Sequence, residues 1–299
     1  MEESYDVRRY RQACQLLPAR LRGPALELDV SEQARAEELR LRLGRSLGVT
    51  LPEGERTLPG TRVLAGDLEQ VLDRATELSR YASAEDLAQG FVTAPGGFRV
   101  GACGRALPAG GENRGFSDLS ALAVRIPRLR RDVAAPVLDR LMEGSRPLSV
   151  LVLSPPGGGK TTFLRDLVRL LSEGGSRVGL VDERGELAAL YRGAPQLDVG
   201  RRTDVLDGCP KALAIPMLLR AMNPQVIAVD ELAAAGDLAA VEAAAGCGVT
   251  LLATVHAPSV AELRRRPLFA SLLEKRIFRR AVVITGGGAG RRYLVEDLP

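Results

Sequence analysis

The hydrophobic pattern changes character at the middle of the chain. From residue 148 onward, short continuous apolar runs alternate with longer helical segments. Residues 149–153, 177–181, 225–229 and 249–254 are runs of the kind that a strand covered on both faces requires. Between them the pattern predicts helices over 160–171, 210–222 and 233–245, then over 260–270 and 272–276. Residues 279–285 and 292–295 read as edge strands of a final hairpin around a glycine run. This alternation predicts an α/β domain with a mainly parallel sheet and helices on both faces.

Before residue 148 the pattern is mixed. A helix is expected over 5–17, with Pro18 and the Gly23, Pro24 pair breaking the first segment. Ser31 reads as the N-cap of a short helix through Glu38. Leu39, Leu41 and Leu43 alternate with Arg40 and Arg42, a strand with one wet face, and 47–51 can pair with it across Gly44 and Arg45. Asp67 reads as the cap of a helix through about Tyr81, with Leu68, Val71, Leu72, Ala75 and Leu78 on one face. Ser83 with Asp86 resembles a capping box for a helix ending near Gly90. Residues 91–93 and 98–104 predict a hairpin. Residues 107–118 read as a loop, 119–126 as a strand and 137–142 as a short helix. The expected organisation is a smaller α+β domain with linker, 1–147, followed by the α/β domain, 148–299.

Composition narrows the function classes. With 45% hydrophobic residues among 299, a packed core is assured. Lys and Arg total 41 against 37 Asp and Glu, which gives no electrostatic case for nucleic acid as a partner. Cys14, Cys103, Cys209 and Cys247 form no C-x-x-C pair and read as reduced cytosolic thiols. The first residues lack the apolar core of a signal peptide, and no apolar run approaches the ~20 residues that span a bilayer. Membrane association is therefore expected to be peripheral or through a partner.

The candidate chemistry starts at Ser154, Pro155, Pro156, Gly157, Gly158, Gly159, Lys160, Thr161 and Thr162. This stretch follows G-x-x-x-x-G-K-[ST] with serine for the first glycine. It stands between a strand and a helix, so its amides and the helix N-terminus can cradle the phosphates of ATP. Lys160 can reach the β- and γ-phosphates, and the Thr161 hydroxyl can ligate Mg²⁺. Asp230 and Glu231 emerge at the end of the 225–229 strand. Asp230 is expected to hold Mg²⁺ through water, and Glu231 to polarise the water that attacks the γ-phosphate.

Other positions admit two readings. Asp182, Glu183 and Arg184 end a strand on the same rim. Glu183 is either a second carboxylate aligning the water or part of an acidic helix N-terminus. His256, the only histidine, is either a γ-phosphate contact or structural. Arg201 and Arg202 are either a finger inserted into a neighbour's site or a solvated turn. Arg264, Arg265 and Arg266 read as a solvated helix face.

Taken together, these stretches resemble the stage III sporulation protein AA family, ATPases of endospore-forming bacteria related to the motor ATPases of type II and type IV secretion. The likeness covers nearly the whole chain. It is carried by residues 37–43, 90–93, 97–101, the P-loop, 181–184, 198–211, 223–231 and 253–256, of which 198–211 is the most family-specific. The resemblance implies a RecA-like motor behind an N-terminal domain, assembled as a homo-hexamer. It further implies a cytoplasmic place on the mother-cell side, peripheral to the forespore membrane, energising a channel of partner membrane proteins. Arg99, Arg105 and Arg125 are candidates for N-terminal arginines that close on the nucleotide. Two other readings compete: a general secretion or pilus-assembly motor, and a nucleotide-gated scaffold with little turnover.

Overall fold

The computed structural model describes residues 4–77, 84–109, 112–127, 130–287 and 290–298. The chain forms two compact units: Met1–Leu129 with Tyr191–Gln196, and Arg130–Leu190 with Leu197–Pro299. Residues 130–147, grouped by sequence with the first domain, thus cluster with the second unit.

The first unit opens with three short helices, α1 (Tyr5–Cys14), α2 (Ala19–Leu26) and α3 (Val30–Arg35). Helix α2 runs through the Gly23, Pro24 pair that was expected to break the chain. Proline there forfeits one helical hydrogen bond. Burial of Leu21 and Ala25 offsets that loss, and the Tyr10 hydroxyl donates to the Ala25 carbonyl at 2.7 Å. Asp29, rather than Ser31, caps α3: its Oδ1 accepts from the Ser31 amide at 2.8 Å. The unit continues with β1 (Glu38–Arg42), β2 (Ser46–Leu51), β3 (Gly54–Arg62), α4 (Ala65–Ala75), α5 (Ala84–Ala88), β4 (Phe91–Ala94), β5 (Phe98–Ala109) and β6 (Glu112–Arg125).

The six strands form one sheet in the order β3-β2-β1-β6-β5-β4. Leu39 and Leu41 of β1 bury with Val49, Leu122 and Val124 against Tyr10, Leu21, Leu68 and Val71 of the helices. Asp67 sits in the first turn of α4, not at its cap, and accepts from the Leu64 amide at 2.6 Å. Leu78, Tyr81 and Ser83 lie outside the described residues. The loop expected over 107–118 is instead mostly strand. Residues 105–108 are exposed, so burial imprints no alternation on their sequence, and the backbone ladder between β5 and β6 continues regardless.

The second unit begins with a 3-10 turn (Ala135–Leu141) and a small ladder, β7 (Met142–Glu143) with β8 (Arg146–Pro147). Then follow β9 (Val150–Ser154), α6 (Lys160–Glu173) and β10 (Val178–Asp182); the two-residue pair β11 (Leu190–Tyr191) and β12 (Ala194–Pro195) falls in the segment that clusters with the first unit, and the second unit resumes with β13 (Thr203–Asp207), α7 (Lys211–Met222) and β14 (Val226–Val229). Helix α8 (Ala235–Gly246), β15 (Thr250–His256), α9 (Val260–Arg264), α10 (Pro267–Glu274), β16 (Arg280–Thr285) and β17 (Arg292–Asp297) complete it.

Its seven-stranded sheet has the order β13-β10-β14-β15-β9-β16-β17, all neighbours parallel except β16 with β17. Alternate residues of each strand face opposite layers, which is why the runs are continuously apolar. Leu151, Leu153, Ile227, Val229, Leu251 and Ala253 pack with α7, α8 and α10 residues. Val150, Val152, Leu180, Ala228 and Leu252 pack with Phe163, Leu164, Leu167 and Val168 of α6.

The structure overturns two expectations and adds one strand. Strand β16 is internal, with four consecutive buried residues, so of the two hairpin strands only β17 is an edge. Strand β13 carries Asp204 and Asp207 and is half-exposed, so its sequence gave no strand signal. The helix expected over 260–270 stops before Pro267, which lacks an amide proton and opens α10 instead. No helix among the described residues is long and apolar enough to cross a membrane.

Candidate active site

Parallel strands deliver their C-terminal ends to one rim, where ligands bind in open α/β sheets. The register fixes who meets there: His256 stands beside Ser154, and Val229 beside both Val181 and Ala253. Ser154 is buried at the end of β9 and lies outside the positive-φ residues, so this loop does not need glycine at that position. Its Oγ donates to the Pro155 carbonyl at 2.9 Å. The steric demand falls on Gly158 instead. A Cβ there would lie 2.3 Å from Ser154 Oγ and 2.7 Å from its Cβ. Pro155 and Pro156 are exposed and Thr162 is half-buried. Gly159, at φ 99°, caps α6 and leaves the amides at the start of the helix free for an anion.

Lys160 turns back into the loop. Its Nζ donates to the Ser154 carbonyl at 3.0 Å and the Pro155 carbonyl at 3.1 Å, and lies 2.7 Å from His256 Nδ1. With Lys160 only 6% exposed, burial lowers its pKa, against the pull of Glu231 and Asp230. An ammonium only donates, which makes Nδ1 the acceptor and puts the proton of the neutral ring on Nε2. That Nε2 faces Glu231 Oε1 at 3.2 Å. Lysine, histidine and glutamate thus form one line across the rim.

Asp230 is held from two sides. The Thr161 hydroxyl donates to its Oδ2 at 3.2 Å, and the Thr254 hydroxyl donates to its Oδ1 at 2.8 Å. The Glu231 amide donates to Asp230 Oδ1 at 3.0 Å and to Thr254 Oγ1 at 2.9 Å. These bonds hold Glu231 at φ 23°, a left-handed backbone that costs about 1–3 kcal/mol for such a residue and collects at functional sites. Its side chain also lies 3.5 Å from Arg184 Nη1. Thr161 and Asp230 are hard oxygen donors of the kind Mg²⁺ takes, completing its shell with water and substrate phosphate. Among the described residues no group of three or more His, Cys, Asp and Glu side chains forms a closed metal cage.

The remaining candidates lie apart from this cluster or are otherwise engaged. Asp182 is buried and accepts four backbone amides, from Glu186 (2.8 Å), Leu187 (3.0 Å), Ala188 (2.7 Å) and Ala189 (3.2 Å). It knots the loop after β10. Glu183 is ion-paired to Lys211, itself almost buried. Arg201 is exposed. The Arg202 amide donates to Ser172 Oγ at 2.7 Å and its guanidinium to the Gly175 carbonyl at 3.2 Å. Ser172 lies about 18 Å along α6 from Lys160, at 1.5 Å per residue. Neither arginine therefore joins the P-loop of its own chain. Arg266 is more than a solvated face: it donates to the His256 carbonyl at 2.6 Å and pairs with Glu262. Sequence reasoning missed the roles of Thr254, Arg184 and Lys211, because only the fold reveals their partners.

Comparison with known proteins matches residues 7–293 to the family model described as "Sporulation stage III, protein AA". The chain belongs to that family. It is 36% identical over 274 residues to Stage III sporulation protein AA of Bacillus subtilis, covering 90% of this chain and 89% of that one. Among solved structures, this family member is similar to the pilus retraction motor PilT with bound ADP, at TM-score 0.64 and 17% identity over 88% of this chain and 80% of that one. It is also similar to the Legionella pneumophila ATPase DotB, at TM-score 0.58 and 16% identity over 90% and 77%. The fold is therefore that of the RecA-like P-loop proteins of secretion and pilus systems.

Proposed function

We propose that this chain is an ATPase of the secretion-motor type, which binds ATP with Mg²⁺ and hydrolyses it to ADP and phosphate. In this reading it energises a sporulation channel between mother cell and forespore. The observation that carries the proposal is the convergence of Lys160, Thr161, Asp230, Glu231 and His256 on one rim. The fold shared with PilT and DotB supports the motor class, and the family's name supports sporulation.

The loop amides and the α6 N-terminus hold the phosphates, and Lys160 exchanges its carbonyl partners for β- and γ-phosphate oxygens. Thr161 and, through water, Asp230 would hold Mg²⁺, which would supply charge neutralisation at those oxygens. Glu231 takes the proton of the attacking water. Glu183 is not the base in this reading, since Lys211 neutralises it. His256 bonds Lys160 on one ring nitrogen and Glu231 on the other, so a triphosphate that draws Lys160 away is felt at the catalytic carboxylate. Arg201 and Arg202, exposed beside the edge strand and far from their own P-loop, serve a neighbour's site in a homo-hexamer. The ring sits at the mother-cell face of the forespore membrane, held by partner membrane proteins.

The test is a pair of variants followed by calorimetry and phosphate release. Lys160→Ala loses Mg²⁺-ATP binding. Glu231→Gln keeps binding and loses turnover by about 10²–10⁴-fold, the scale of a positioned base. Wild-type turnover in Glu231→Gln refutes the catalytic assignment.

A further inference from the structure

Resting on that nucleotide reading, we propose that Arg291 is a second cationic ligand of the nucleotide. It holds the α- and β-phosphates from the flank of the P-loop opposite Glu231. Arg291 immediately precedes β17 and reaches the cap of α6. A Cβ built on Gly159 would lie 3.0 Å from Arg291 Cζ and 3.2 Å from both Nε and Nη1. The guanidinium therefore rests on the last glycine of the loop, where the φ of 99° itself calls for glycine. Arg291 Nε is buried without a hydrogen-bond partner. Two residues on, the Tyr293 ring packs on Phe163 of α6, with centroids 5.1 Å apart at 34°. That contact anchors the start of β17 to the first turn of the helix, so Arg291 is placed by packing.

The strand order decides which phosphates it meets. β14 and β15 lie on one side of β9, and β16 and β17 on the other. Asp230, Glu231 and His256 come from the first side, where the γ-phosphate must react. Arg291 comes from the second side, over Gly159 at the cap of α6, and in this reading its place is at the two phosphates that ADP and ATP share. A guanidinium with a buried, unpaired donor gains most from an oxyanion that accepts in its own plane, which phosphate does bidentately. Lys160 already has carbonyl partners; Arg291 Nε has none.

The full chain is titrated calorimetrically with Mg²⁺-ADP and with Mg²⁺ and the β,γ-imido analogue of ATP. The variants are Arg291→Ala, Arg291→Gln and Lys160→Ala, each melted without nucleotide. Glutamine keeps the stem over Gly159 and discards the charge, so it carries the test if alanine disturbs folding. Both Arg291 variants should weaken ADP and the analogue by the same factor, about tenfold or more, or about 1.4 kcal/mol. Parental ADP affinity in folded Arg291→Gln overturns the proposal. So does a loss confined to the triphosphate analogue, which would put the guanidinium on the γ-phosphate. Failure of the parent to bind either nucleotide, or unchanged binding in Lys160→Ala, refutes the P-loop reading itself and Arg291's role with it.

Discussion

Ser154 stands where the P-loop pattern has glycine, and the structure ties that departure to Gly158. Alanine at 158 would put its methyl 2.3 Å from Ser154 Oγ, 2.7 Å from Ser154 Cβ and 3.1 Å from the Pro155 carbonyl oxygen. Overpacking of this kind costs about 1–3 kcal/mol. Gly158 is not among the positive-φ glycines, so the lost unfolded-state entropy returns about 0.4–1 kcal/mol. The net for Gly158→Ala is a loss of about 1–2 kcal/mol. Ser154→Gly alone forfeits the hydroxyl bond to Pro155, about 1 kcal/mol, and adds a glycine's backbone entropy, about 0.5–1 kcal/mol. In the double variant both Ser154 contacts vanish and only the 3.1 Å approach to Pro155 remains. The two substitutions together should therefore cost about 1–2 kcal/mol less than their sum. Urea unfolding of the four proteins, followed by circular dichroism and read from the transition of the second unit, measures the cycle. Additivity within about 0.3 kcal/mol would show that Ser154 does not set the requirement at Gly158.

Two further outcomes follow from the rim. Asp182→Ala strips the acceptor from four amides of the loop after β10 and should destabilise the second unit by about 1.5–3 kcal/mol or more, the scale of hydrogen bonds to a charged group and of unsatisfied buried donors; urea unfolding showing a loss under about 1 kcal/mol would contradict the knot. Lys160 has its pKa lowered by burial, so the folded chain disfavours the ammonium relative to the unfolded chain, and the penalty is relieved as pH rises towards the unfolded value of 10.5. The stability of nucleotide-free Lys160→Met relative to the parent should therefore fall as pH rises from about 8 towards 10.5, narrowing any gap in its favour. A gap that widens with pH would reverse the sign of the argument.

Much of the second unit was readable because its strands are covered on both faces, which writes apolar runs into the sequence at β9, β10, β14 and β15. The glycine-rich turn with Lys160 and the Asp230, Glu231 pair stood out as candidates because each follows a buried apolar strand, and the parallel sheet brings both to one rim. What escaped did so for physical reasons. β13 is half-exposed, so two aspartates could stand in it without a burial penalty. The outer part of the β5–β6 hairpin is held by backbone bonds and buries little. Pro24 within α2 is tolerated because tertiary packing outweighs one missing bond. At the site, Thr254 and Lys211 look ordinary in sequence, and only the parallel register shows that one braces Asp230 and the other neutralises Glu183. The tautomer of His256 is a property of its two neighbours and is written nowhere in one residue.

The sheet of the second unit leaves two margins, β13 and β17. A margin strand offers unpaired amides and carbonyls to any strand that approaches it. Here one carries Asp204 and Asp207, the other Arg292, Glu296 and Asp297, and a foreign strand would have to strip water from those charges to add itself. Copies of this chain crowded at high local concentration are thereby kept from zipping sheet to sheet.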